Sequence, residues 1–369
     1  MPVSNGIAYY VTSHGYGHMN RAAAVIAALP RSTRVVVRTA RDQFDRFHES
    51  LRRPIELIEG VFDCGAVHPP GESSLVDPGA TLKKYAQVHR MAQSHLDREV
   101  RFLREGEFAC VVSDIAPFPL VAARRAGIPG VLVANFTWHD IMSAFVRFPS
   151  RHDRDLLRRM YSEYETATCV LRAQPAIASP TGVPVKDVGL IARRGRRRRD
   201  ELRRLIGAAP QRRLVYMYVG RYGQEDMNWQ GVARSQGFDF VSYHTIPNPP
   251  PHWHVVNPAE WSPADLAASV HVMVAKAGYG TVTDAMVHGT PLVFPPRHGF
   301  TEHRVLASAL RRWGGGVSIS TADFKNCRVQ SPILRALEWR RVAAPWPVDG
   351  ARRCAREIVR VAANPQRRK

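Results

Sequence analysis

Two hydrophobic rhythms take turns along this chain: short β-rich apolar runs, and longer segments whose apolar residues share one helical face. Ile7 to Thr12 reads as a strand and leads into the glycine-punctuated turn Ser13-His14-Gly15-Tyr16-Gly17-His18. The helix predicted next carries Ala22, Val25, Ile26 and Leu29 at the i, i+3, i+4, i+7 spacing of one buried stripe. Val35 to Val37 and Ile55 to Ile58 read as strands, and one long helix is expected from about Thr81 to Leu103. Val111-Val112 ends in Ser113-Asp114, a strand terminating in a carboxylate, and Gly130 to Ala134 closes the series before Asn135.

The rhythm then restarts. Leu214 to Val219 and Phe238 to Ser242 read as strands, and Val270 to Val274 runs into Lys276-Ala277-Gly278-Tyr279-Gly280 and a helix. Leu292 to Phe294 leads through Pro295-Pro296 to a helix with Val305, Leu306, Ala309, Leu310 and Trp313 on one face. Strands alternating with helices imply parallel sheets covered on both sides. Two such series imply an α/β chain of two Rossmann-like domains, and 369 residues are in any case too many for one ordinary core. Ligands of such sheets bind beyond the carboxyl ends of the strands, where the glycine-rich turns fall.

Residues 1–192 are read as the N-terminal domain and residues 206–349 as the C-terminal one. Between them lies an arginine-rich linker, 193–205, with six arginines among the seven residues from Arg193 to Arg199. Residues 350–369 form a basic helix and tail. The arginine run is either a solvated linker or first helical turn, or a contact for nucleic acid or an anionic membrane surface. The whole chain has 52 Lys and Arg against 32 acids, a formal charge of +20. That excess favours an anionic partner such as nucleotide phosphates, unless it reflects only an arginine-favouring composition. At 45% apolar and 23% charged residues the chain falls in the folded, soluble range. No apolar run nears the roughly 20 residues of a membrane span, and no secretion signal is apparent, so a cytoplasmic protein is expected. The five scattered cysteines show neither zinc nor redox spacing, and neither zinc nor disulfides are expected. His252-Trp253-His254 sits in a proline-rich loop without a third ligand, and no metal is expected there either.

Chemistry concentrates at the turns. In Lys276-Ala-Gly-Tyr-Gly-Thr-Val-Thr-Asp284, Gly278 and Gly280 let backbone amides approach a ligand, and a helix N-terminus favours phosphate. Thr281 either caps that helix or donates to a phosphate oxygen, Lys276 adds a full charge, and Asp284 suits ribose hydroxyls. The alternative is an ordinary tight turn with an acid near the helix start. His18, opening the first helix, has the chemistry of a general base, with Asp114 behind it as orienting carboxylate. A helix-capping or structural histidine is the other reading. His14 is a second candidate base or a donor to phosphate, and Arg21, one turn on, would help neutralise charge in the cleft. Gly220-Arg221-Tyr222-Gly223 offers amides and a guanidinium to a diphosphate, or is a plain loop. Phe136 and Trp138 offer a stacking wall for a sugar or base, or pack in the core.

The segment from Lys276 to Pro291 resembles the donor-site signature of GT-B glycosyltransferases. Tyr9 to His18, Asp63-Cys-Gly-Ala-Val67, Val111 to Asp114, Ala134-Asn-Phe-Thr-Trp138 and Gly314-Gly-Gly-Val317 are similar to the glycosyltransferase-like N-terminal region of plant arabinokinases, without the kinase domain. The resemblance implies a GT-B fold with two parallel sheets facing across a cleft, and sugar transfer from a UDP-linked donor to a hydroxyl without a metal or other cofactor. It assigns the diphosphate to Lys276, Gly278, Gly280 and Thr281 and the ribose to Asp284, while Tyr279 within that turn and Arg221 in its own glycine loop are read from the sequence as further donor-binding residues. The donor sugar falls to Glu302, with His303 beside it; His14, Tyr16, Phe136 and Trp138 are read from the sequence itself as the acceptor-binding candidates. His303 stands where relatives often carry glutamine. The same likeness, to a region fused to a kinase, leaves room for a sugar-nucleotide-binding module without turnover.

Overall fold

Among the described residues of the computed structural model every strand pairing is parallel, which is what a chain of apolar runs separated by helices requires. The structure describes residues 6–69, 75–146, 149–177, 182–220, 224–225 and 227–364. The first sheet contains β1 (Gly6–Val11), β2 (Val35–Thr39), β3 (Glu56–Glu59), β4 (Phe108–Asp114), β5 (Gly130–Ala134), β6 (Cys169–Ala173) and β7 (Val185–Gly189), in the order β3-β2-β1-β4-β5-β6-β7. The second contains β8 (Arg213–Tyr218), β9 (Phe238–Ser242), β10 (Trp253–Val255), β11 (Val272–Ala275), β12 (Leu292–Phe294) and β13 (Gly316–Ser318), in the order β10-β9-β8-β11-β12-β13. In each sheet the order reverses once, between β1 and β4 and between β8 and β11, and such a reversal opens a crevice at the strand ends.

By contacts the chain divides into two compact units. Among the described residues, the first takes 6–68, Val76–Ile191 and 349–364; the second is built on Ala192–Val348. In the first, β1 and β4 are buried along their whole length, and Tyr10, Val111, Leu96, Val100, Leu103 and Phe118 pack in one cluster. In the second, Val215, Met217, Phe240, Trp253, Val272, Val274 and Ile333 do the same.

Three expectations about the elements change. The first series does not close at β5, because β6 and β7 extend the sheet; β7 is an edge strand with its first three residues exposed, so it lacks an apolar run. The long helix is two, Pro78–Ser94 and Leu96–Glu105, broken at His95. The second helix carries Glu99 inward to accept from the Tyr10 hydroxyl at 2.5 Å and from Arg38 at 3.2 Å. Trp253 and His254 belong to strand β10, and both histidines of that stretch have partners: His252 Nε2 meets the Val232 carbonyl at 3.0 Å and His254 Nε2 meets Asp239 at 2.9 Å.

The arginine run is seated on the second unit. The Gly195 amide donates to His288 Nε2 at 2.9 Å, the Arg196 amide to Asp265 at 2.6 Å and the Arg198 amide to Ser269 Oγ at 2.9 Å. A Cβ on Gly195 would lie 2.0 Å from the Ala264 carbonyl oxygen, so only glycine permits this approach. Arg198 lies 4.1 Å over the Trp261 ring, and Arg199 donates to the carbonyls of Ser269 and Val270 before opening the helix Arg199–Ile206. Arg194, Arg196 and Arg197 are exposed. The basic helix Gly350–Ala362 packs in the first unit against the helix Tyr16–Ala28, β4 and β7. Among the described residues no helix is long and apolar enough to cross a membrane.

Candidate active site

The two glycine turns are built alike. After β1, the Gly15 amide donates back to the Ser13 carbonyl at 2.9 Å, and the helix Tyr16–Ala28 begins at the next residue. After β11, the Gly278 amide donates back to the Lys276 carbonyl at 2.8 Å, and the helix Tyr279–His288 begins at the next residue. Neither helix is capped by a side chain, whereas Asp77, Thr137, Ser150 and Ser262 cap theirs. Uncapped first-turn amides suit an anion or a polar ligand. A Cβ on Gly278 would meet nothing within 4 Å, so the space before the second helix is open.

In the first unit the turn delivers His18 to the end of β4. His18 Nδ1 lies 2.7 Å from Asp114 Oδ1, the pairing expected from the sequence. Arg21 joins them. Its Nε donates to Asp114 Oδ2 at 2.8 Å, its Nη2 to Oδ1 at 2.7 Å, and its Nη1 to Asn135 Oδ1 at 2.6 Å. Arg21 therefore does not reach outward to neutralise charge in a cleft; three helical residues from His18, it is buried with the carboxylate. Burial alone would raise the Asp114 carboxyl, but the Arg21 charge and hydrogen bonds, with those of His18, outweigh it and hold the group below its ordinary range. The side chains of Asp114 and Arg21 are 0% and 1% exposed, while that of His18 is 13% exposed, so the imidazole is the member of the trio that meets solvent.

Aromatic rings wall this trio. Phe136 stands edge-on to His18 at 6.0 Å and to Trp138 at 5.6 Å, and Trp138 stands edge-on to His14 at 6.1 Å. Phe136 and Trp138 are both buried, so they support the wall from behind and do not offer an open stacking face. His14 stacks on His68 at 6.4 Å and overlies Gly65, whose φ of +62° and bare Cα make room for the ring; a Cβ there would come within 1.9 Å of His14 Cγ. Asp63, quoted in a motif but given no role by the sequence, is buried beside them. Burial raises its carboxyl, against hydrogen bonds from Thr12 and Trp138 and the nearby His18. Asn135 was missed as well, although an amide directly after a buried strand was its signal.

In the second unit Lys276 is half-buried between β11 and the helix, with Thr281 half-buried in the first turn. Tyr279 is buried, which leaves its amide as the contribution to the turn. Asp284 is half-buried by area, yet burial pushes its carboxyl up to about 7, with the Arg193 charge opposing. Glu302 and His303 open the helix Thr301–Trp313, which also lacks a side-chain cap, and both are buried. Burial and the charges of Arg297, His298 and Arg311 lower His303 to about 4, so the ring is neutral near pH 7. Its Nδ1 is buried without a hydrogen-bond partner. Arg221 and the side chain of Tyr16 lie outside the described residues. Among the described residues no group of three His, Cys, Asp or Glu side chains is placed to hold a metal ion.

No family model matches the chain. It is 29% identical over 323 residues to L-arabinokinase of Arabidopsis thaliana, covering 86% of this chain and 30% of the length of that protein. The glycosyltransferase of kitacinnamycin superposes with a TM-score of 0.66 at 16% identity, covering 99% of each chain. A UDP-glucosyltransferase from Polygonum tinctorium that glucosylates indoxyl superposes with a TM-score of 0.62 at 14% identity, covering 98% of this chain and 99% of that one. The protein has the GT-B fold of the glycosyltransferases, and over most of its length it is similar to part of a plant arabinokinase.

Proposed function

We propose that this chain transfers a sugar from a nucleoside-diphosphate sugar, UDP-linked, to a hydroxyl of an acceptor without a metal. The observation that carries the reading is the His18–Asp114 contact of 2.7 Å at a strand end of a GT-B fold. With Nδ1 donating to Asp114, Nε2 of His18 takes the acceptor proton as the acceptor oxygen bonds to the anomeric carbon. The bond from that carbon to the diphosphate breaks in the same step. The leaving charge is met by Lys276 and the uncapped amides that follow Gly278, an electrostatic contribution that requires no reorganisation. Asp284 takes the ribose, and Glu302 and His303 the donor sugar.

The reading is tested by melting the protein with UDP, GDP, dTDP, ADP and their common sugar conjugates, since a ligand of the folded state raises Tm by mass action. One nucleotide should shift Tm clearly, and Lys276→Ala should abolish the shift; no shift with any of them would sink the donor assignment. A second reading, a sugar-nucleotide-binding module without turnover, is favoured by the similarity to only 30% of a protein named as a kinase. Slow donor hydrolysis that His18→Ala removes separates the two, because a module has none to lose.

A further inference from the structure

We propose that Arg21 is a positioning residue that sets the charge balance of the His18–Asp114 pair. The proposal rests on the reading above only in calling His18 the base. Asp114 is fully buried, and the Arg21 guanidinium covers both of its oxygens, Nε on Oδ2 at 2.8 Å and Nη2 on Oδ1 at 2.7 Å. A guanidinium is planar and permanently charged, and a two-bond fork on a carboxylate fixes both partners. The third nitrogen is held by Asn135 at 2.6 Å, so the fork cannot turn away.

Two consequences follow for His18. The first concerns its tautomer. A carboxylate kept ionised by the fork accepts only, and a bare Nδ1 set 2.7 Å from Oδ1 would place two lone pairs face to face. Nδ1 therefore carries the hydrogen and Nε2 is the nitrogen left to receive a proton. The second concerns charge. Arg21 Nη2 stands 3.1 Å from Nδ1, so an imidazolium would form against a full positive charge. In a two-member pair the carboxylate would favour the imidazolium unopposed; here the guanidinium offsets it. Among the described residues, Asp63 after β3, Tyr9 on β1 and Cys354 on the helix Gly350–Ala362 also interact electrostatically with the trio, and each is acidic or neutral. Arg21 thus limits how firmly the base holds the proton it takes.

The test follows the His18 ring directly in the full chain labelled with 15N-histidine, the resonances being assigned by their loss in His18→Gln. Wild-type His18 should show the Nδ1–H tautomer when neutral. In Arg21→Met its titration midpoint should move to higher pH by about one unit or more, and in Arg21→Lys by less, because an ammonium keeps the charge but not the fork. A midpoint that is the same in all three proteins would overturn the proposal. Should Arg21→Met fail to fold, Arg21→Gln, which keeps hydrogen-bond donors but not the charge, decides in its place: an upward move supports the proposal, and none overturns it. The measurement needs no donor and no turnover, so a shifted midpoint in a protein that binds no nucleotide would leave this inference standing and remove the proposed function.

Discussion

Asp63 and Trp138 lie 75 residues apart and meet inside the first unit, where the indole Nε1 donates to Asp63 Oδ2 at 2.8 Å. The Thr12 hydroxyl donates to the other oxygen at 2.5 Å, so one buried carboxylate ties the residue after β1, the segment after β3 and the helix Trp138–Phe145 together. Trp138→Phe keeps an aromatic ring but leaves a buried carboxylate oxygen without a donor, which costs about 1–3 kcal/mol. Urea unfolding of the two proteins measures this directly, and equal stabilities would show that the bond holds nothing.

His18→Ala should separate chemistry from binding. A general base contributes roughly 10²–10⁴ in rate, so donor turnover should fall by that order. The melting shift produced by a nucleotide, which the Lys276 turn would supply, should be unchanged. A variant that loses the shift along with the rate would show that His18 serves the fold or the binding of nucleotide.

Asp284 gives the second unit a pH signature. Its carboxyl sits at about 7 in the folded chain against 3.8 for the ordinary group, chiefly through burial. Between those values the folded state holds a proton that the unfolded chain has released, so this group's stabilising contribution is full below 3.8 and is lost as pH rises through about 7. Asp284→Asn removes the titration, and the variant should gain stability relative to wild type on going from about pH 5 to about pH 8. Parallel stability curves over that range would contradict the assignment.

The arginine loop has a single steric key. Gly195→Ala would drive a Cβ to 2.0 Å from the Ala264 carbonyl oxygen and 2.5 Å from the Asp265 amide nitrogen. The loop must lift, and the variant should lose about 1–3 kcal/mol. It would also lose the Gly195 amide as donor to His288 Nε2, whose Nδ1 lies 2.8 Å from the Asp284 carbonyl oxygen. An unchanged Tm in thermal melting would mean that the loop is not seated as described.

Where a segment's structure depends on its own periodicity, the sequence shows it plainly. β1, β4, β8 and β11 are continuous apolar runs because both faces of a parallel sheet are covered, and the glycine turns after β1 and β11 were legible for the same local reason. β7 was not, since Val-Lys-Asp-Val-Gly is half-exposed at a sheet edge and its pattern is weak. The pairing of His18 with Asp114 was legible as a guess from two strand ends. The inward aim of Arg21 was not, because spacing places it on the face of His18 without saying whether that face meets water or a buried carboxylate. The seating of the arginine run depends on Asp265, Ser269 and His288, about seventy residues or more away, and no local pattern announces such contacts.

The helix Gly350–Ala362 lies against the helix that carries His18 and against β4, which carries Asp114. A ribosome makes the rest of that unit first, then the 192–348 stretch, and only then this helix. The second unit can thus complete its core while the nascent first unit still shows an uncovered apolar face, the one that Cys354, Ile358 and Val361 later close. In order of synthesis the His18 trio comes early; in order of completion it comes last.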